Sequence, residues 1–497
     1  MLVIVSDLHL TDGTSGNPLS GGAFRLLRAR LQDLAASASE RRGGEYRPVE
    51  RLDLVLLGDV LDVMRSQRWL REQVRPWSGV DSADLCRVAT EIAAGILHAN
   101  DAGLAELRAL AQQGVMVPAA TRDGRRSAEA LQPAPVRIHY MVGNHDWFLH
   151  VPGENYNRLR RLAAAGLGLA TTTEAPFPHE PWEDNELLQA LRRHKVFARH
   201  GDIYDPFNYE GDRNAASLGD AIVIDLLQRF VATVGSKLGE ELPLSVLDGL
   251  QEIDNVRPLL MAPVWIEGLL ERACPDPGLR TRVKRIWDEL ADDFLDLPFV
   301  RRRDTWHPAD VVDGLQGALK FSRSLSLGRA SAVAHWLCKL RGAATESFYH
   351  HALTEQDFRN RRAKHVVYGH THRPESTALD ASYAEGYVLH QMYFNAGTWR
   401  RVHHPTRFDP REREFIAEET LTFLAFYRDD EREGRPYETW SGTLGISPQE
   451  ATARRIDSQS TLHAGGQPIS TPGVPLRAPH FAVPLAAFGG HARPPVK

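Results

Sequence analysis

Apolar runs that stop abruptly at polar clusters recur along this chain. Leu2–Val5 (LVIV) has the length and composition of a buried strand, and it ends at Ser6-Asp7-Leu8-His9. Phe24–Leu34 then sets Leu27, Leu31 and Leu34 at helical spacing. A second apolar run, Leu52–Leu57 (LDLVLL), leads straight into Gly58-Asp59-Val60-Leu61-Asp62, where glycine permits a sharp turn. Strand, crossover helix and second strand form the pattern of a parallel βαβ unit, so the chain reads as α/β.

The next stretch, 63–135, reads as a helical excursion. Leu85, Val88, Ile92 and Ile96 share a helical face, the pattern ends near Gly114, and Pro118–Pro135 reads as an exposed basic loop. A third strand, Val136–Val142, delivers Gly143-Asn144-His145-Asp146, and a fourth, Lys195–Ala198, delivers His200-Gly201-Asp202. From Asn214 the character changes. Residues 214–355 carry helical patterns (Ile222, Leu226 and Phe230 on one, Leu279, Val283, Ile286 and Leu290 on another) and little strand. They read as an all-helical insertion with its own packed core, including Trp265, Trp287, Trp306 and Trp336, and as a candidate cap. Strands resume at His365–Tyr368, which ends in Gly369-His370-Thr371-His372, and at Val388–Phe394, which ends in Asn395-Ala396-Gly397-Thr398. Thr420–Tyr427 reads as the last strand. Beyond about Gly442 the chain turns Pro-, Gly- and Ser-rich, the composition of a weakly ordered tail or surface arm.

Composition narrows the class. At 497 residues more than one module is expected, and 42% hydrophobic with 25% charged residues is globular. A net charge of −5 offers no overall basicity for bulk nucleic-acid binding. Cys86, Cys274 and Cys338 are few, odd in number and far apart, which suits a reducing compartment. The strand beginning at Leu2 leaves no room for a cleavable signal peptide, and no apolar run reaches the roughly 18–20 residues of a membrane span, so a cytoplasmic protein is expected.

The strand ends carry the chemistry. Asp7/His9, Asp59, Asn144/His145, His200 and His370/His372 supply oxygen and imidazole donors without thiolates, a set suited to Mn²⁺, Fe²⁺ or Zn²⁺. The number of donors exceeds one tetrahedral site and suits two ions, the arrangement that holds the attacking and leaving oxygens of a displacement at phosphorus. Asp202 and Asp205 either meet substrate or shape their loop, and Asp146 has a structural turn role as an equal alternative. The runs Arg301–Arg303 and Arg359–Arg362 read as solvated faces rather than phosphate sites.

In their order, Asp7-Leu8-His9, Gly58-Asp59-Val60-Leu61-Asp62, Gly143-Asn144-His145-Asp146, His200 and Gly369-His370-Thr371-His372 resemble the motif blocks of the calcineurin-like metallophosphoesterases. The resemblance covers roughly 1–213 and 356–430. It implies a β-sandwich flanked by helices, its two parts in 1–213 and 356–430, separated by the insertion 214–355 and followed by a tail, 431–497. It also implies metal ligands Asp7, His9 and His372 for one ion, and Asn144, His200 and His370 for a second, with Asp59 between them. His145 is then the catalytic acid or charge stabiliser, oriented by Asp62, and the nucleophile a hydroxide bridging two divalent ions, Mn favoured over Fe or Zn. The implied activity is hydrolysis of a phosphate ester or phosphoanhydride on a phosphorylated small-molecule, nucleotide or lipid-linked substrate. SDLHL and the HGD at His200 are similar to the branch containing UDP-2,3-diacylglucosamine diphosphatase. That enzyme carries arginine where this chain has His145, so the reaction class transfers and the lipid substrate does not. A nuclease, which needs a basic groove, and a non-catalytic metal-containing binding module are the alternatives.

Overall fold

Strand β1 (Leu2–Val5) is buried at every position, which demands cover on both faces, because successive strand side chains point to opposite sides. Leu2 and Ile4 join one apolar cluster with Val55, Leu57, Val367 and Phe394. Val3 and Val5 join another with Leu27, Leu31, Leu54 and Leu56. The computed structural model describes residues 1–170, 174–304, 315–317, 319, 347–379, 391–406 and 414–443. Residues Met1–Leu444 form one compact unit; the second, Gly445–Lys497, lies outside the described residues.

Helix Gly21–Ala38 crosses from β1 to β2 (Leu52–Leu57), and the two strands pair in parallel. After helices Ala83–Ala99 and Asp101–Gln113 come β3 (Val115–Ala120) and β4 (Arg126–Ala134), an antiparallel hairpin. This corrects the exposed loop expected over Pro118–Pro135. Nearly all of β4 is exposed, so no alternation of apolar residues marks it. Strand β5 (Val136–Met141) then pairs in parallel with β2.

A second sheet follows. It contains β6 (Val196–Ala198), β7 (His365–Tyr368), β8 (Glu375–Ala378) and β9 (Met392–Asn395) in the order β6-β7-β9-β8. The hairpin β10 (Val402–Pro405) and β11 (Phe415–Glu418) leads to β12 (Leu421–Phe426) and β13 (Tyr437–Gly442), which complete the first sheet as β13-β12-β1-β2-β5. Leu424 and Phe426 of β12 meet Val196, Val367 and Phe394 between the sheets. Phe197, Val366 and Tyr393 pack outward on Phe348, Ala352 and Phe358 of short helical turns. The result is an α/β sandwich of two mixed sheets flanked by helices. Strand β12 is not the last, because β13 (YETWSG) continues the sheet into the expected tail without an apolar run. The start of the strand expected at Val388 lies outside the described residues, and β9 begins at Met392.

Between Leu218 and Arg301 the chain is helical. Leu218–Ala221 continues through the π-helical stretch Ile222–Gln228 into Arg229–Leu238, followed by Leu244–Leu250, Ala262–Ala273, Pro277–Leu295 and Pro298–Arg301. Its buried residues, Trp265 and Trp287 included, belong to the same continuous apolar cluster as β2 and helix Gly21–Ala38, not to a core of their own. Trp306 and Trp336 lie outside the described residues. Among the described residues no helix is long and apolar enough to cross a membrane.

Two histidines beside the inter-sheet layer are buried and neutral. Burial, aided by the N-terminal amine, pushes His194 down to about 3, and burial with Lys364 pushes His365 to about 4. An unfolded chain protonates both near 6.5, so each withdraws stability as pH falls below that value until its folded pKa is reached. Each contributes a loss of about 1.4 kcal/mol per pH unit across that window. The two histidines thus add a downward slope to the urea midpoint between about pH 7 and about pH 5, against the upward one from Glu180 and Asp220, whose pKa values burial raises to about 7. His365→Phe, placed among Phe394, Phe426 and Tyr437, is expected to flatten that slope.

Candidate metal centre

The carboxyl ends of the parallel strands deliver the donors. After β1, Asp7 N–H donates to Gly58 O (3.1 Å) and His9 N–H to Asp59 O (2.8 Å), so the loops after β1 and β2 are bonded edge to edge. Glycine occurs where these loops touch. A Cβ at Gly143 would collide with Asp59, and one at Gly369 with Ser6 and Asp7. Asp7 (φ +55°), His9 (+43°), Asp59 (+52°), His370 (+68°) and His372 (+60°) all take left-handed backbone, a conformation costly for residues with a Cβ.

Both carboxylates are aimed by hydrogen bonds to one of their oxygens. Asp7 Oδ2 accepts from Ser6 Oγ (2.5 Å) and from His370 N–H (3.0 Å), leaving the buried Oδ1 without a hydrogen-bond partner. Around that orphaned oxygen lie His372 Nε2 (3.3 Å) and His9 Nε2 (3.7 Å), themselves 2.9 Å apart. Asp59 Oδ1 accepts from His145 N–H (2.8 Å), and its Oδ2 faces His200 Nε2 (3.2 Å) and His9 Nε2 (3.6 Å). Asn144 Oδ1 sits 3.2 Å from His200 Nε2 and 2.9 Å from His370 Nδ1. The structure thus brings all seven expected ligands together. Two triads, Asp7–His9–His372 and Asp59–His200–His370, each have donor atoms within 4.8 Å of one another, and a third joins His9 and Asp59 to His145.

The donors fit a pair of cations on several counts. Two ionised carboxylates and an amide oxygen converge with imidazole nitrogens, and one buried carboxylate oxygen points at nothing but those nitrogens. The outward nitrogens are held from behind: His9 Nδ1 by Asp62 (2.6 Å), His200 Nδ1 by Leu57 O (3.0 Å), and His370 Nε2 by Asp205 (3.0 Å). This is the support that fixes the tautomer of a metal-binding histidine. The electrostatics agree. Burial opposes charge on His200, yet Asp59 and Asp7 outweigh it and lift its pKa to about 10. Burial likewise opposes ionisation of Asp7 and Asp59, yet the surrounding histidines keep both below the usual carboxylate range.

His145 stands beside the triads, its Nδ1 2.6 Å from Asp62 Oδ1. Burial works against its charge, but Asp62 and Asp59 raise its pKa to about 9, so it is an imidazolium at neutral pH. Asp62 holds His9 with one oxygen and His145 with the other. Asp146 proves structural: it accepts from Gly143 N–H, Val60 N–H and the Tyr140 hydroxyl. Asp202 pairs with Arg213. Arg301, Arg303 and Arg362 pair with surface carboxylates and do not line the cavity at the centre.

Sequence reasoning missed Arg257 and Arg65. Arg257 Nη2 lies 2.9 Å from His372 Nδ1, while its Nη1 donates to Asp254 O and Val256 O. Arg65 pairs with Asp254 and donates to Asn255. Neither stands in a motif, and only the fold carries the loop at 254–258 over the strand ends. Beyond Arg257 the centre opens into a cavity of about 150 Å³.

The fold and site define an α/β protein with a paired Asp/His cluster suited to two divalent ions. No protein-family model matches the chain, and no curated protein is significantly similar to it.

Replacing Asp62 by Asn leaves a side chain that can accept from only one of the two histidines. Mn²⁺ affinity, titrated against a chelating indicator, is expected to fall about 10–100-fold with the far-UV circular dichroism unchanged.

Proposed function

We propose that the protein is a dinuclear-metal-dependent hydrolase of phosphate esters or phosphoanhydrides, of the calcineurin-like metallophosphoesterase type. The observation that carries this reading is the convergence of two triads, six residues, and the Asn144 amide oxygen beside a charged, carboxylate-held His145. Asp7, His9 and His372 would hold one ion, Asn144, His200 and His370 the other, and Asp59, whose Oδ2 faces both groups, would serve the two together. When bound, such ions polarise a phosphoryl oxygen and lower the pKa of a coordinated water.

The chain's own side chains supply the rest. His145, protonated at neutral pH and partly open to the cavity, donates its proton to the leaving oxygen or stabilises charge developing there. Asp62 keeps its ring oriented and protonated. Arg257, charged and anchored to two carbonyls, presents its guanidinium to phosphate oxygens at the mouth of the centre. Asp205 locks His370 through Nε2, leaving Nδ1 for the donor cluster. The apolar far wall of the cavity favours a small ester over a nucleic-acid strand, which would call for a basic groove. The expected setting is the cytoplasm.

Hydrolysis of bis-p-nitrophenyl phosphate is expected to require Mn²⁺ and to stop with chelator. His145→Ala should lower kcat by about 10²–10⁴ with both metals still bound. Asp59→Asn should lose metal and turnover together. Turnover indifferent to chelator, or a His145→Ala variant as fast as the parent, would sink the reading.

A further inference from the structure

We propose that the group esterified to the substrate phosphate is compact and apolar, a single ring or a short branched chain, seated against the π-helical stretch Ile222–Gln228. This rests on the hydrolase reading and names its substrate class.

The argument begins with continuity. One cavity is lined both by His9, Asp59 and His145 and by Ile222, Val223, Leu226, Leu227, Leu260 and Trp287. Every side chain that helices Leu218–Leu238 and Pro277–Leu295 contribute to it is aliphatic or aromatic. A phosphate held at His145 can therefore set its substituent against a wall poor in hydrogen-bonding groups, the polar lining residues Asn208, Asp205 and Asp254 coming from other segments. Leaving the polar groups of a sugar or a base unpaired there is costly.

Size narrows the class further. The cavity measures about 150 Å³. That volume includes the Asp-, His- and Arg-lined end, so the apolar part has room for no more than about one ring, a benzene filling an apolar cavity of about this size. A pair of long acyl chains exceeds it several-fold. The local backbone is also unusual. Ile222–Gln228 is π-helical inside a longer helix, and wide turns of this kind are frequent at functional sites. Charge is confined to the other end, where Arg257 and Arg65 flank the donors. The cavity thus joins charged donors and two arginines to an oily wall, matching an amphiphilic small ester.

The chemistry balances as simple hydrolysis. The P–O bond to the apolar alcohol breaks and a water oxygen joins phosphorus. The leaving oxygen takes its proton from His145, which recovers one from the attacking water.

The test uses the full-length, Mn²⁺-loaded protein and three primary-alcohol phosphates with similar leaving groups: benzyl, 2-hydroxyethyl and dodecyl phosphate. Benzyl phosphate is expected to exceed both others in kcat/KM by about tenfold or more, the discrimination an apolar pocket can supply. By isothermal titration phenylphosphonate is expected to bind about tenfold tighter than methylphosphonate, and Leu260→Trp, which fills the cavity, should erase that advantage. Equal rates for benzyl and 2-hydroxyethyl phosphate, or a preference for dodecyl phosphate, would overturn the compact apolar class while the hydrolase reading stood. Hydrolysis of neither these esters nor bis-p-nitrophenyl phosphate would overturn both.

Discussion

Two carboxylates buried side by side cannot both stay ionised unless positive charge stands with them. Asp7 and Asp59 are essentially inaccessible, and the rest of the centre answers to that constraint. Their inner oxygens are tied off by Ser6 and the amides of His370 and His145, so the outer oxygens have nowhere to turn but toward the imidazoles. The histidines are in turn braced by Asp62, Leu57 O and Asp205. Parallel pairing of β1 with β2 and of β2 with β5 makes this possible, because it places three loop-bearing strand ends at one edge of one sheet. The second sheet, through the parallel pair β6–β7, brings His200, His370 and His372 from its own edge.

The part of this design that is local in sequence was legible before the fold. A buried strand announces itself as an apolar run, and the abrupt change to Asp, Asn and His at its end marks where donors collect. Asp7, His9, Asp59, Asn144, His145, His200, His370 and His372 stand out that way, whereas their division into ligands and an acid, with Asp62 behind the acid, comes only with the metallophosphoesterase resemblance. Elements without an apolar run were not found. The hairpin β3–β4 is exposed along one strand, β13 reads YETWSG, and both were taken for irregular chain. Arg257 was invisible for another reason: it meets His372 across 115 positions of sequence, and no local pattern reports such a contact. Asp205, left even between substrate contact and loop shaping, accepts from Phe207 N–H and Asn208 Nδ2 within its own loop, and its contact with His370 Nε2 shows only in the fold.

The two halves of the cavity come from different stretches of chain and different kinds of element. Strand ends hold the reactive groups, where backbone hydrogen bonds give a rigid frame. Helices between Leu218 and Leu295 supply the oily wall, where side chains can be exchanged without disturbing the ladder. That wall merges with the main apolar cluster, so it is held by the same packing that holds the sheet. Reaction type and choice of substrate can therefore vary separately in a fold of this kind.

The left-handed backbone at Asp7, His9, Asp59, His370 and His372 carries one more implication. Each such residue costs on the order of 1 kcal/mol that a glycine would not. Fold stability alone therefore favours erosion at these five places toward a smaller residue. A chain retained only as a scaffold would relax there first, shedding strain and donors in the same step. With aspartate or histidine at all five, the strain sits at the same residues that aim the donor atoms.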